Sequence, residues 1–119
     1  MAKKILIAED DELNRKLFVS ILQDRGYEIL EAVDGQEAID IIRKESPSLV
    51  LMDIILPEMS GMEVFKTCKN EKLLDNTRVY ALTAAATSEV FNAGFDGIIT
   101  KPIKVKEFLE TVERALEVS

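Results

Sequence analysis

Four short apolar runs in this 119-residue chain end on a residue that can do chemistry. Ile5 to Ala8 runs into Glu9-Asp10-Asp11-Glu12, and Leu49 to Met52 runs into Asp53. Val79 to Leu82 runs into Thr83, and Gly97 to Thr100 into Lys101, with Pro102 behind it. Carboxylates packed together repel one another and have raised pKa values, and a hard divalent cation relieves that repulsion. Mg²⁺ takes oxygen ligands, usually one or two carboxylates with water and phosphate oxygens. Calcium fits less well, because the chain has no rigid loop dense in ligands. Beside such a cation one carboxylate can act as nucleophile toward a phosphoryl donor, giving an aspartyl phosphate. The Lys101 ammonium and the Thr83 hydroxyl would then hold phosphoryl oxygens, and positioning with charge stabilisation is nearly all that phosphoryl transfer asks of a protein. The chain has no His, which removes imidazole acid–base chemistry and His metal ligands.

Taken singly, these residues have plainer readings. Acids at Glu9 to Glu12 suit a helix N-terminus, where they cap free N–H groups and favour the dipole; for Asp11 and Glu12 this is the preferred reading. Asp53 could cap a loop, Thr83 could bond backbone at a strand end, and Lys101 could be a solvated surface lysine. Their conjunction at the ends of four strands is what points to a site.

The elements that must bring them together follow from periodicity. The apolar run Ile5–Ala8 is continuous, as for a strand buried on both faces. Leu13, Leu17, Phe18, Ile21 and Leu22 recur at helical spacing until Gly26. Residues 28–32 form a weaker strand, Asp34-Gly35 a turn, and Ala38, Ile41 and Ile42 mark a helix that ends before Pro47. After the strand 49–52 comes a loop with Pro57 and Gly61, then a helix from about Met62 to Lys69 with Phe65 and Cys68 on one face. Strand 79–82, a short helix within 84–93, strand 97–100 and a last helix complete the chain; Val105, Phe108, Leu109, Val112 and Leu116 are expected on that helix's core face. Regular alternation of this kind implies a doubly wound α/β fold, a parallel sheet with helices on both faces. Ligands of such sheets bind at the carboxyl ends of the strands, beside the switch in strand order. Cys68, Phe18, Phe65 and Phe108 read as core, and Asn14 as either a partner contact or a solvated helix face.

Composition bounds the function. Hydrophobic residues are 47% of the chain, enough for a core. Fifteen Lys and Arg against 22 Asp and Glu leave a net charge of −7, which argues against nucleic acid or an anionic membrane as the main partner. One cysteine allows no internal disulfide. No apolar run approaches the roughly 18 residues of a membrane span, and Met1 to Lys4 leads into only four apolar residues. The expectation is a cytoplasmic chain forming one domain over 1–119, with no output domain.

Ile5-Leu6-Ile7-Ala8-Glu9-Asp10-Asp11-Glu12-Leu13-Asn14, Leu51-Met52-Asp53-Ile54-Ile55-Leu56-Pro57-Glu58-Met59-Ser60-Gly61, Ala81-Leu82-Thr83-Ala84 and Lys101-Pro102 together resemble the receiver domain of two-component response regulators, of the single-domain kind in cell-division and sporulation relays. The resemblance covers the whole chain. It implies a flavodoxin-like (βα)5 fold with five parallel strands in the order 2-1-3-4-5. It implies that Asp53 accepts a phosphoryl group from a phosphohistidine, and that Asp10 and Asp53 ligate Mg²⁺. Glu9 would act through a metal-bound water and Ile55 would lend its backbone carbonyl. Thr83 and the backbone of Ala84 would contact the phosphoryl group, Thr83 moving with it. Lys101 would pair with phosphoryl oxygens, its peptide with Pro102 cis. The implied partners are a histidine kinase or His-containing phosphotransfer protein and a downstream protein target, for a monomer or weak dimer. A pseudo-receiver that binds partners without phosphorylation is the rival. A Mg²⁺-dependent phosphatase would need a pocket and an acid–base residue beyond the strand ends.

The chain departs from that family twice. The aromatic usual three positions before the lysine is Ile98 here, with no ring to swing inward. Thr83 and Lys101 are 18 positions apart; the family has about four more, one turn at 3.6 residues per turn. The fourth helix is therefore expected to be short, roughly residues 87–93. Ile55 and Ala85, at positions that commonly tune hydrolysis, offer no side chain to orient water, so self-dephosphorylation is expected to be slow.

Overall fold

A computed structural model describes residues 3–117; residues 1, 2, 118 and 119, which the expected domain 1–119 includes, lie outside the described part. Five strands alternate with five helices: β1 (Lys4–Ala8), α1 (Glu12–Gln23), β2 (Glu28–Ala32), α2 (Gly35–Glu45), β3 (Leu49–Asp53), α3 (Gly61–Asn70), β4 (Arg78–Thr83), α4 (Ser88–Asn92), β5 (Gly97–Thr100) and α5 (Val105–Glu117). The strands form one parallel sheet in the order β2-β1-β3-β4-β5. This is the expected doubly wound order, with its switch between β1 and β3. Strands β1 and β3 lie inside the sheet and are apolar on both faces, as buried parallel strands must be.

Side chains alternate across the sheet and feed two cores. Ile5 and Ile7 of β1 join Leu49, Leu51, Leu82 and Ile99 beneath α1 and α5, through Phe18, Leu22, Phe108 and Val112. Leu6 and Ala8 join Val50, Met52 and Val79 on the other face, beneath α2 and α3, with Ile39, Ile42, Val64, Phe65 and Cys68. Rings reinforce each layer: Phe18 stacks on Phe108 at 5.5 Å and Phe65 on Phe95 at 4.4 Å between centroids.

The helix starts are written locally. Asp11 caps α1 by accepting from the Leu13 N–H at 3.2 Å, and Asp34 caps α2 from Glu37 at 2.8 Å. Ser60 and Glu63 form a reciprocal capping box on α3, and Thr87 caps α4. A left-handed Ser46 closes α2 just before Pro47. Helix α4 spans only five residues, as the spacing predicts.

Two core assignments need correction. The buried stripe of α1 is Arg15, Phe18, Val19 and Leu22; Leu13 and Leu17 are 82% and 48% exposed. Leu13 and Leu17 stand two positions before and after Arg15, which turns them to the opposite, outward face of the helix. Val105 shares the spacing of the α5 core face, which is Phe108, Leu109, Val112 and Ala115, but it opens the helix at the carboxyl edge of the sheet and is half-exposed.

Candidate functional site

Parallel register carries the chemistry-bearing residues to one edge. Ala8 pairs with Met52, Asp53 with Leu82, and Thr83 with Thr100, so Glu9, Asp53, Thr83 and Lys101 all emerge together. Glu9 and Asp53 are buried, at 1% and 6% exposure, while Asp10 is exposed. The Lys101 ammonium lies 2.6 Å from Glu9 Oε1 and 2.6 Å from Asp53 Oδ2. The remaining oxygens are held by backbone: Asp11 N–H donates to Glu9 Oε2 at 3.1 Å, and Ile55 N–H to Asp53 Oδ1 at 2.8 Å.

Carboxylate oxygens of Glu9, Asp10 and Asp53, one from each, lie within 4.8 Å of one another. Two of these acids share the one ammonium and the third has no bond to it, a deficit of positive charge that a cation would fill. The donor set is all hard oxygen, a few carboxylates at an edge open to water beside Asp10, which suits Mg²⁺. Burial pushes the Glu9 carboxyl up, the Lys101 bond draws it down and Asp53 pushes it up again, leaving it above the ordinary carboxylate range. Burial acts to lower the Lys101 ammonium, but its bonds to Asp53 and Glu9 prevail and raise it.

Backbone contacts hold the frame. Ile54 N–H donates to Leu82 O at 3.2 Å and Gly61 N–H to Ile54 O at 2.9 Å, folding the loop after Asp53 back on itself. Gly61 is required there because a Cβ would collide with the Asp53 carbonyl oxygen. Lys101 N–H donates to Thr83 O at 2.8 Å, and the Lys101–Pro102 peptide is cis.

The other expected residues stand apart from the ion cluster in their contacts. The Thr83 hydroxyl is engaged with Ala85 backbone, donating to its O at 3.0 Å and accepting from its N–H at 3.1 Å. Ala84 is exposed, and the Ile55 side chain is 81% exposed. Ile98 is half-buried on β5, opposite Ala81. Reading the sequence missed Arg15, buried at 8% exposure and bonded from Nη1 to the Glu9 carbonyl at 3.0 Å. Its signal was available, since Arg15, Phe18, Val19 and Leu22 follow the i, i+3, i+4, i+7 spacing of a buried face.

The response regulator receiver domain family matches residues 5–113. The polar-differentiation response regulator DivK of Brucella ovis is 42% identical over 120 residues, covering 98% of each chain. A CheY-like receiver domain protein of Methanospirillum hungatei superposes with a TM-score of 0.90 at 33% identity, over 98% of this chain and 95% of that one. The receiver domain of a sensor histidine kinase from Pseudomonas aeruginosa, with a magnesium ion coordinated in its active site cleft, shares the fold at a TM-score of 0.90 and 24% identity, over 98% of this chain and 99% of that one.

Proposed function

The chain belongs to the response regulator receiver family, and from that premise we propose that Asp53 takes up the phosphoryl group, with Glu9, Asp10, Thr83 and Lys101 serving it. Phosphorylation-based signalling is the function of the family. The observation that carries the assignment to Asp53 is the Lys101 ammonium shared at 2.6 Å by two buried carboxylates, beside a third acid.

An Asp53 carboxylate oxygen attacks phosphorus of a phosphohistidine on a histidine kinase or phosphotransfer protein. The O–P bond forms as the P–N bond breaks, and the electron pair returns to the imidazole nitrogen. Lys101, already beside Asp53, stays with the charge as it moves onto the phosphoryl oxygens. Thr83 leaves its local turn with Ala85 to donate its hydroxyl, and the Ala84 N–H faces the same group. Asp10 and Asp53 directly, Glu9 through a water and Ile55 through its carbonyl would hold Mg²⁺, which when bound neutralises the gathering negative charge. The donors of Mg²⁺ here are of the same class as those of receiver domains generally.

Receivers are in general not true enzymes, and we read this one as catalysing only its own phosphorylation and a slow dephosphorylation. The phosphate then changes affinity for a downstream protein, or is passed on. We place the chain in the cytoplasm as one receiver domain; no helix among the described residues is long and apolar enough to cross a membrane. Its charge of −7 disfavours nucleic acid and anionic lipid as partners, and a monomer or weak dimer suffices for the reaction. Ile98 and the five-residue α4 favour the pseudo-receiver as the second reading.

One experiment separates the two. Incubation with Mg²⁺ and a small acyl phosphate should give an acid-stable, base-labile adduct on Asp53, absent in Asp53→Asn. Wild-type protein that forms no adduct and binds no Mg²⁺ would put the pseudo-receiver ahead. Turnover of many phosphate esters per chain would instead mean a phosphatase.

A further inference from the structure

Of the four buried residues of α1, three are apolar and the fourth is Arg15. Its guanidinium is a planar fork that reaches two partners at once: Nη1 donates to the Glu9 carbonyl at 3.0 Å and Nε to Glu31 Oε1 at 2.9 Å. Glu31 sits on β2 and also accepts from Lys16 Nζ at 3.1 Å. Burial alone would raise the Glu31 carboxyl, but Lys16 and Arg15 hold it below its ordinary value, so it stays ionised to anchor the fork.

The peptide units at Glu9 are thus held from both sides. Its N–H donates to Ala32 O at 3.1 Å and its carbonyl accepts from Arg15. That carbonyl belongs to the peptide joining Glu9 to Asp10, so its plane sets the direction in which both acids leave the strand. The next N–H, of Asp11, returns to the Glu9 carboxylate.

We propose that Arg15 is a positioning residue, holding the Glu9–Asp10 turn in the conformation that gathers the carboxylates around a divalent cation. The proposal rests on the reading of Glu9, Asp10 and Asp53 as a Mg²⁺ site. Lysine cannot replace this function, because a single ammonium lacks the fixed fork that joins a carbonyl to a carboxylate.

Charge makes the test sharp. A guanidinium beside a cation site repels the cation, so by Coulomb's law its removal should tighten Mg²⁺ binding. Positioning predicts the opposite sign. Groups that orient metal ligands typically cost roughly tenfold or more in affinity when replaced. Calorimetric titration of Mg²⁺ into wild type, Arg15→Met and Arg15→Lys reads this directly. Both variants should bind about tenfold more weakly. In the metal-free protein the amide resonance of Asp10, bonded to the Glu9 carbonyl, should shift in both. Wild-type affinity or tighter binding in Arg15→Met, with the Asp10 amide unmoved, overturns the proposal even if the melting temperature falls. If Arg15→Met does not fold, Arg15→Lys decides: it keeps the charge, so unchanged affinity overturns the proposal and weakened affinity supports it. Wild-type protein that takes up no Mg²⁺ overturns the site reading and the role of Arg15 with it, a failure told apart by the wild-type titration alone.

Discussion

Lys101 serves two buried acids, so its loss should be felt before any phosphate arrives. Lys101→Met leaves Glu9 and Asp53 facing each other without a cation. Breaking a fully buried pair costs about 3–5 kcal/mol; at this edge, where the lysine side chain is 20% exposed, we expect about 1–3 kcal/mol in metal-free protein at pH 7. The Glu9 carboxyl is raised in the fold, so the folded state binds its proton more tightly than the unfolded state does. Its titration therefore favours the fold below the unfolded value, and that contribution is lost as pH rises through the folded one. Without the Lys101 bond, which draws Glu9 down, that value rises further. Urea midpoints should thus show the deficit of Lys101→Met shrinking from pH 7 to pH 5; an equal deficit at both would contradict the assignment. At Ile55, fully apolar and 81% exposed, no side chain can orient a water toward phosphorus. The phosphoryl group should be long-lived on Asp53, and Ile55→Asn should shorten its lifetime in a quenched time course.

Helix α3 and its approach illustrate how an element sets the site. The capping box of Ser60 and Glu63 fixes where α3 begins, and Gly61 lets that start press against the Asp53 carbonyl. Gly61→Ala should force the two apart, costing roughly 1–3 kcal/mol as overpacking does and weakening Mg²⁺ uptake by moving Asp53. A variant as stable as wild type with intact uptake would show that the loop yields freely. Helix α4 works in the other direction. Its five residues bury only Val90 and leave Phe91 at 65% exposure, so movement of Thr83 has little rigid helix beside it to displace. With Ile98 in place of an aromatic ring, the change on phosphorylation should be small around β5.

For the whole molecule, two cores of alternate strand residues clamp the sheet from both faces. Cys68 reports on one of them. On the buried face of α3, its thiol is pushed up from 9.0 to about 11, chiefly by burial. The folded state thus holds that proton more tightly, which favours the fold below the unfolded value and is lost as pH rises through about 11. Stability should therefore decline across alkaline pH, less steeply in Cys68→Ala, as urea midpoints would read. In native protein near neutral pH, Cys68 should resist alkylation until the chain unfolds; rapid labelling of folded protein would show an opening this core does not predict.

Much of this was legible because it is local. Alternating apolar runs and helical spacing determine a parallel βα chain, and a chemistry-bearing residue directly after a strand must lie on the carboxyl edge. The short α4 follows from the Thr83–Lys101 spacing set against that of the family, and the cap at Asp11 from residue type. Tertiary structure decided the rest. The partners of Lys101 are 48 and 92 residues away in the chain, a distance that no periodicity spans. Leu13 and Leu17 share the helical spacing of the core residues, yet they lie outward, while charged Arg15 lies inward. Burial of a helix position depends on what faces it, and at this edge the sheet presents a Glu9 carbonyl and a Glu31 carboxylate. Only the packed fold puts a guanidinium between them.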